Sequence, residues 1–256
     1  MEVVGSTTRW IPRSRVSEYI VSKIRPNTAV YRCGNGLLTH ILVSEGYRGH
    51  GIDVRARTSW SSYPDATRAC LHVHALDPTA NETHAPLFSS SSAFIIGNHA
   101  DELSPWVPVL STVMSASGFL NIPCCAWGFD ERWVRGVSHY PITSDHDVAD
   151  GTLPEAFLSQ LNLGDTGSYA SSYSQYRIWL ASLTLHCGWE VETEALRIPS
   201  TRNWSIVGRK RRRPPQSSAE MDNDTASRSN AQGIINAAKD RGLFKPRKPE
   251  GKTTEH

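Results

Sequence analysis

The stretch Cys33-Gly34-Asn35-Gly36-Leu37-Leu38-Thr39-His40-Ile41-Leu42-Val43, followed by Gly49-His50-Gly51-Ile52-Asp53-Val54, decides how this chain reads. Residues 27–32 contain Ala29-Val30-Tyr31 and read as a short strand after the turn at Pro26. Cys33–Gly36 is a tight glycine loop. Apolar positions 37, 38, 41 and 42 then recur at helical spacing. Gly46 is placed to end that helix, because glycine tolerates the left-handed conformation common just past a helix. The run 49–54 reads as a second strand that ends in a carboxylate. Strand, glycine loop, helix and strand form one unit, and such units build parallel sheets.

The pattern continues outward. Residues 70–76 alternate apolar positions with His72 and His74, a third strand, and 79–92 is a polar loop. Ala93-Phe94-Ile95-Ile96-Gly97 is a buried strand by composition. Pro105 opens a helix over 105–116, as proline can in a first turn. Phe119–Cys125 is another strand. Residues 130–167 are long, polar and irregular, an insertion or a lid. Tyr176, Trp179, Leu180 and Leu183 mark a helix over 172–186, and 188–194 and 204–209 read as two last strands joined by a short loop. The expected class is therefore α/β: a Rossmann-like, mostly parallel sheet with an antiparallel edge hairpin.

Composition bounds the rest. The chain has 256 residues, of which 39% are apolar, enough for one sizeable core with polar chain left over. No apolar run reaches the roughly 18 residues of a membrane helix. Met1–Arg15 carries three arginines and no apolar h-region, so it does not read as a secretory signal. Five cysteines without a CxxC argue against a disulfide scaffold or a Cys-rich zinc site and fit a reducing, cytoplasmic setting. The net charge is +2, but it is uneven. Residues 209–256 hold twelve Lys and Arg against six Asp and Glu, so the tail is basic and the body mildly acidic.

The expected organisation is a partly ordered segment over 1–26, a domain over 27–210 with the irregular insertion at 130–168, and a basic, largely disordered tail over 211–256. A short helix is expected at 230–241 within that tail, with Ile234, Ile235 and Ala238 on one face and an unstructured end from Phe244. The basic run Arg209-Lys210-Arg211-Arg212-Arg213 suits a polyanion such as RNA, or a solvated surface.

Chemistry concentrates at two strand ends. Glycines after the first strand let the backbone approach a ligand, and ligands of open α/β sheets lie beyond the carboxyl ends of the strands. A carboxylate at Asp53 can accept both ribose hydroxyls of a nucleoside cofactor. CGNG is not GxGxxG, which favours S-adenosylmethionine (AdoMet) over a nicotinamide dinucleotide. Cys33, Gly34, Asn35, Gly36 and Asp53 are thus candidate cofactor-binding residues. Asn98, at the end of the next buried strand, suits the cofactor's amino-acid end or the substrate. His99, Asp101 and Glu102 are candidates for orienting or deprotonating a hydroxyl, and the two acids also suit the start of the following helix. His72 and His74 lack further ligands at metal spacing, and Cys124-Cys125 reads as structural, so no metal is expected.

The strings CGNGLLTHILVSEGYRGHGIDVRARTSW, IIGNHADELSPWVPVL, IPCC and LRIPSTRNWSIVGRKR together resemble the eukaryotic tRNA (uracil-2′-O)-methyltransferase family. The resemblance implies a class I AdoMet-dependent methyltransferase fold. It also implies methylation of the ribose 2′-hydroxyl of uridine 44 in serine tRNA. It places Gly34, Asn35, Gly36 and Asp53 at the cofactor, and Asn98, His99, Asp101 and Glu102 at the active edge. Residues 196–202 become a loop available to tRNA. Arg197, Arg202, Arg209, Lys210 and Arg211 are then candidate phosphate contacts. Where the family carries an acid and a glycine before CGNG, this chain has Val30 and Arg32. That leaves a second reading: a truncated or impaired tRNA-binding remnant with a damaged AdoMet pocket.

Overall fold

The computed structural model describes residues 27–31, 33–80, 93–137, 140, 142, 154–164, 169–196, 198, 200–212 and 220–247. Seven strands form one sheet: β1 (Asn27–Tyr31), β2 (Arg48–Asp53), β3 (Leu71–Val73), β4 (Phe94–Asn98), β5 (Gly118–Ile122), β6 (Glu192–Ala195) and β7 (Trp204–Gly208). Their order is β3-β2-β1-β4-β5-β7-β6. The first five run parallel, and β7 is antiparallel to both β5 and β6. This is the expected Rossmann-like class I methyltransferase architecture with its antiparallel edge hairpin.

The order reverses direction between β1 and β4, which opens a crevice beyond their carboxyl ends. The helices are α1 (Leu37–Ser44), α2 (Asp65–Arg68), α3 (Trp106–Val113), α4 (Glu155–Ser159), α5 (Ser172–His186) and α6 (Glu220–Arg241). Gly46, at φ 86°, follows α1 where the sequence places its end.

Strand alternation sorts the core into two layers. Phe94 and Ile96 of β4 and Leu120 and Ile122 of β5 face one side, with Val30, Leu42 and Trp60. Ile95 and Phe119, register partners, face the other, where Trp106, Tyr176 and Trp189 pack. Both faces of the central strands are buried, so their sequences read as continuous apolar runs.

Two expectations need correction. The segment after Arg211 is not a largely disordered tail over its whole length. Residues 220–241 form a 22-residue helix whose Ala231, Ile234, Ile235 and Ala238 are buried against the sheet layer that holds α3 and α5. The apolar face seen at 234–238 was real, but the helix begins ten residues earlier. It does so because packing, not local propensity, sustains a polar helix. Part of the irregular insertion is also core: Tyr140, Phe157, Leu161 and Leu163 are buried, and Phe157 lies on α4. The polar loop expected at 79–92 falls mostly outside the described residues, as does the segment 1–26.

Ile234 is fully buried. Ile234→Ala is expected to destabilise the domain by about 2–4 kcal/mol, read by denaturant unfolding. An exposed change on the same helix, Ser229→Ala, should cost less than about 0.5 kcal/mol.

Candidate active site

The glycine loop is built from both flanking strands. The Cys33 N–H donates to the Ile52 carbonyl at 3.0 Å, and the Gly36 N–H donates back to the Cys33 carbonyl at 2.9 Å. Gly34 (φ 57°) and Gly36 (φ 80°) occupy the left-handed region, where a side chain is costly. A Cβ at Gly36 would also crowd Leu71 and Tyr63 at 3.2 Å. The Asn35 side chain accepts from the Leu37 N–H at 3.1 Å, so its observed role is to start α1.

Asp53 closes the loop from the neighbouring strand. The Gly34 N–H donates to its Oδ2 at 2.9 Å, and the Arg55 N–H reaches Oδ1 at 3.4 Å. The residue is 4% exposed. The Cys33 thiol feels the enclosure: burial, and then the Asp53 charge, pushes its pKa up to about 12. The 3₁₀ turn Thr58–Ser62 supplies two further anchors. Trp60 Nε1 donates to the Gly34 carbonyl at 2.9 Å, and the Ser59 hydroxyl donates to the Asn35 carbonyl at 2.9 Å.

At the tip of β4, Asn98 is half-buried and pairs in register with Ile122. His99 and Asp101, both non-glycine, have φ of 53° and 47°. Two such residues around Ala100 store strain of the kind found at functional sites. The His99 N–H donates to the Ile122 carbonyl at 3.0 Å, which fixes the bend against β5. Burial lowers the His99 pKa below its ordinary 6.5, with the Asp101 charge opposing. The imidazole is therefore neutral at pH 7 and able to accept a proton.

Cys124 donates its thiol to Asp101 Oδ1 at 2.8 Å. Burial, reinforced by that hydrogen bond, pushes its pKa up to about 12, so it is a neutral thiol and not a nucleophile. Cys125 Sγ lies 3.6 Å from Cys124 Sγ. Asp101, Cys124 and Cys125 offer donor atoms within 4.8 Å of one another, three of the four that a zinc ion ordinarily takes.

Glu102 is engaged by Arg247, whose Nε lies 2.7 Å from Oε1; the same guanidinium stands 3.7 Å from Asp101 Oδ2. Phe244 packs edge-on against Trp106 at 5.7 Å. Residues 244–247, expected to be unstructured, return to the candidate active edge.

The structure separates the basic candidates. Arg211 lies over the Trp189 ring at 4.0 Å and donates to Thr112 Oγ1 and the Cys187 carbonyl. It also pairs with Asp224 at 3.4 Å. It ties α6 to the sheet, so the guanidinium expected at a phosphate has a structural role in the fold. Arg209 makes a two-point contact with Glu192 at 3.0 and 2.6 Å. Lys210 is exposed, and Arg202 is exposed beside Tyr173. Arg197 and Arg32 lie outside the described residues, while Val30 is buried in β1 between Gly51 and Ile96. Sequence reasoning gave no role to Ser59, Trp60, Tyr173, Arg177 or Arg247. Ser59 and Trp60 stand within the quoted string ending RTSW, but only the fold shows what they touch.

A family model described as "Predicted AdoMet-dependent methyltransferase" matches residues 20–78, which span the loop and Asp53. The "tRNA (uracil-O(2)-)-methyltransferase" of Schizosaccharomyces pombe is 35% identical over 199 residues, and that of Neurospora crassa 36% over 200. Over most of its length the chain is similar to proteins named tRNA (uracil-O(2)-)-methyltransferase. Each match covers 70% of this chain and 35% of the relative, so the chain spans about a third of the length of these family members. A human protein named "Probable tRNA (uracil-O(2)-)-methyltransferase" is 34% identical over 191 residues, covering 74% of this chain and 20% of its own length.

The cofactor of this family is AdoMet, and the residues present fit it. Asp53 is a buried carboxylate with two backbone N–H donors, which leaves acceptor sites for two ribose hydroxyls. The glycine turn beside it is locked by Trp60 and Ser59 rather than by the ligand. Asp53→Ala is expected to abolish AdoMet binding, measured by calorimetry, while the fold persists by circular dichroism. For the basic run, Arg211→Ala is expected to lower stability by about 1–3 kcal/mol, since it removes two hydrogen bonds, the contact with the Trp189 ring and the pair with Asp224 together. Lys210→Ala should be near neutral in the same unfolding measurement.

Proposed function

We propose that this chain carries out AdoMet-dependent methylation of the ribose 2′-hydroxyl of uridine 44 in serine tRNA. The observation that carries the reading is the Gly34–Asp53 contact between the tips of β1 and β2, next to the point where the strand order reverses, with the strained His99–Asp101 bend at the tip of β4 on the other side of β1. The substrate rests on the motif strings and on the names of the relatives.

When bound, AdoMet supplies a methyl group activated by a sulfonium. Asp53 and the Gly34–Gly36 loop hold the nucleoside end, and Asn98 faces the amino-acid end. The ribose hydroxyl is a weak nucleophile, so orientation contributes much of the rate. His99, neutral at pH 7, accepts the hydroxyl proton at a ring nitrogen. Asp101 is held by Cys124 and Arg247 and orients the bend. Glu102, paired with Arg247, is the weaker candidate base. The impaired-remnant reading draws no support, because the carboxylate–glycine contact is intact and Val30 sits within an ordinary parallel ladder.

Incubation with labelled AdoMet and unmodified serine tRNA, followed by nucleoside mapping, is expected to give 2′-O-methyluridine at position 44. Label on a base or on another tRNA would overturn the assignment. The pH dependence of single-turnover transfer should show an acid limb below pH 6.5, because the base form of His99 persists to lower pH than an ordinary imidazole. His99→Asn should remove that limb and lower the rate about 100-fold or more.

A further inference from the structure

Beyond the cofactor pocket, the tip of β5 carries a second cluster that no assigned role accounts for. Tyr173, in the first turn of α5, donates its hydroxyl to the Pro123 carbonyl at 2.7 Å. Pro123 is followed by Cys124, the thiol bonded to Asp101, so the Tyr173 ring stands directly beside the candidate active edge. Two guanidinium groups converge on this ring. The Arg202 guanidinium carbon lies 3.8 Å from its centroid, and that of Arg177 lies 5.0 Å away.

This juxtaposition is unfavourable without a counter-charge. Burial lowers the Arg177 pKa, and the charge of Arg202 lowers it further against the opposing effect of Tyr173. Among the described residues, neither arginine is paired with a carboxylate. Arg177 instead donates to the Leu163 carbonyl at 3.1 Å and the Ser174 hydroxyl at 2.9 Å, while its Nε is buried with no partner. By contrast, the partly buried Arg209, Arg211 and Arg241 each have a carboxylate partner. The Arg202 segment is pinned by its own N–H donating to Ser200 Oγ at 3.0 Å. The exposed Arg202 guanidinium, stacked on an aromatic face, keeps edge N–H groups available for planar, two-point recognition of an anion, and Arg177 adds a second positive charge behind the ring.

We propose that Arg177 and Arg202, set against Tyr173, form a binding site for a phosphodiester of the RNA substrate beside the target ribose. This deepens the methyltransferase reading and rests on it for the identity of the RNA. The site lies on the β5 and α5 side of the bend, whereas the cofactor residues Gly34 and Asp53 lie on the β1 and β2 side. One phosphate fixed here would hold the ribose against His99, which is how positioning residues raise a rate without touching the reacting atoms.

The test is binding of fluorescent unmodified serine tRNA by the full chain over a salt series, for the wild type, Arg202→Gln, Arg177→Lys and Arg177→Gln. Arg202 is exposed, so its variant keeps the fold; circular dichroism checks the Arg177 pair. Each Gln variant is expected to weaken RNA binding about ten-fold and to reduce the slope of log affinity against log salt by about one. AdoMet affinity should be unchanged. Arg177→Lys, which keeps the charge but not the hydrogen bonds to Leu163 and Ser174 that place it, should retain the slope and lose part of the affinity. Inorganic phosphate should compete only weakly, and equal competition by phosphate and RNA would point to a free-anion site instead and overturn the proposal. Wild-type affinity and slope in both Gln variants would also overturn it, even if methyl transfer proceeds. Conversely, arginine-dependent RNA binding without methyl transfer would leave this site standing and remove the enzymatic reading.

Discussion

The hydrogen bond from the Gly34 N–H to the Asp53 carboxylate ties together the two strand tips on which the rest of the site is built. It is possible because residue 34 is a glycine in the left-handed region, which turns its N–H toward β2. It is stable because the carboxylate is almost wholly buried and a buried carboxylate must be hydrogen-bonded. The two carbonyls that the turn exposes are satisfied by Trp60 and Ser59, so the loop is rigid before any ligand arrives. Rigidity set in advance is what keeps ordering costs low when a ligand binds.

The opposite wall of the crevice obeys a different constraint. The β4 tip bends through two non-glycine residues at positive φ, and that bend is held by the Ile122 carbonyl, by the Cys124 thiol and by Arg247. The Arg247 contacts are partly exposed, so each adds little to stability. Their interest lies in position: a residue from the end of the described chain reaches the same carboxylates that face the crevice. The Cys124 thiol behind the bend is protonated and half-buried, and it shapes the wall without attacking anything.

Much of this was legible in the residues, because strand and helix periods are local. The glycine loop, the carboxylate at the end of β2, the buried β4 and the polar cluster after it were all read from spacing. The boundaries differ by a few residues, as at β3, which is three residues long and not seven. The tail was read less well. Composition between 214 and 232 is that of a chain with too little apolar surface to order itself. The four small or branched apolar residues at 231–238 nevertheless find a groove on α3 and α5. The basic run shows the same limit: in sequence, Arg209 and Arg211 look alike to Lys210, but the fold gives each arginine a carboxylate and puts Arg211 on Trp189.

What the sequence by itself determined is the order of elements, the family resemblance and the residue types at the two strand tips, since these follow from periodicity and from motif strings that survive without coordinates. What only the tertiary structure decided is which charges are spent and which remain. Arg211 is consumed by α6 and Arg209 by Glu192, while Arg177 and Arg202, 25 positions apart, meet across one tyrosine ring. The physical reason is that charge pairing acts over a few ångströms, a distance that chain spacing does not encode and folding alone assigns.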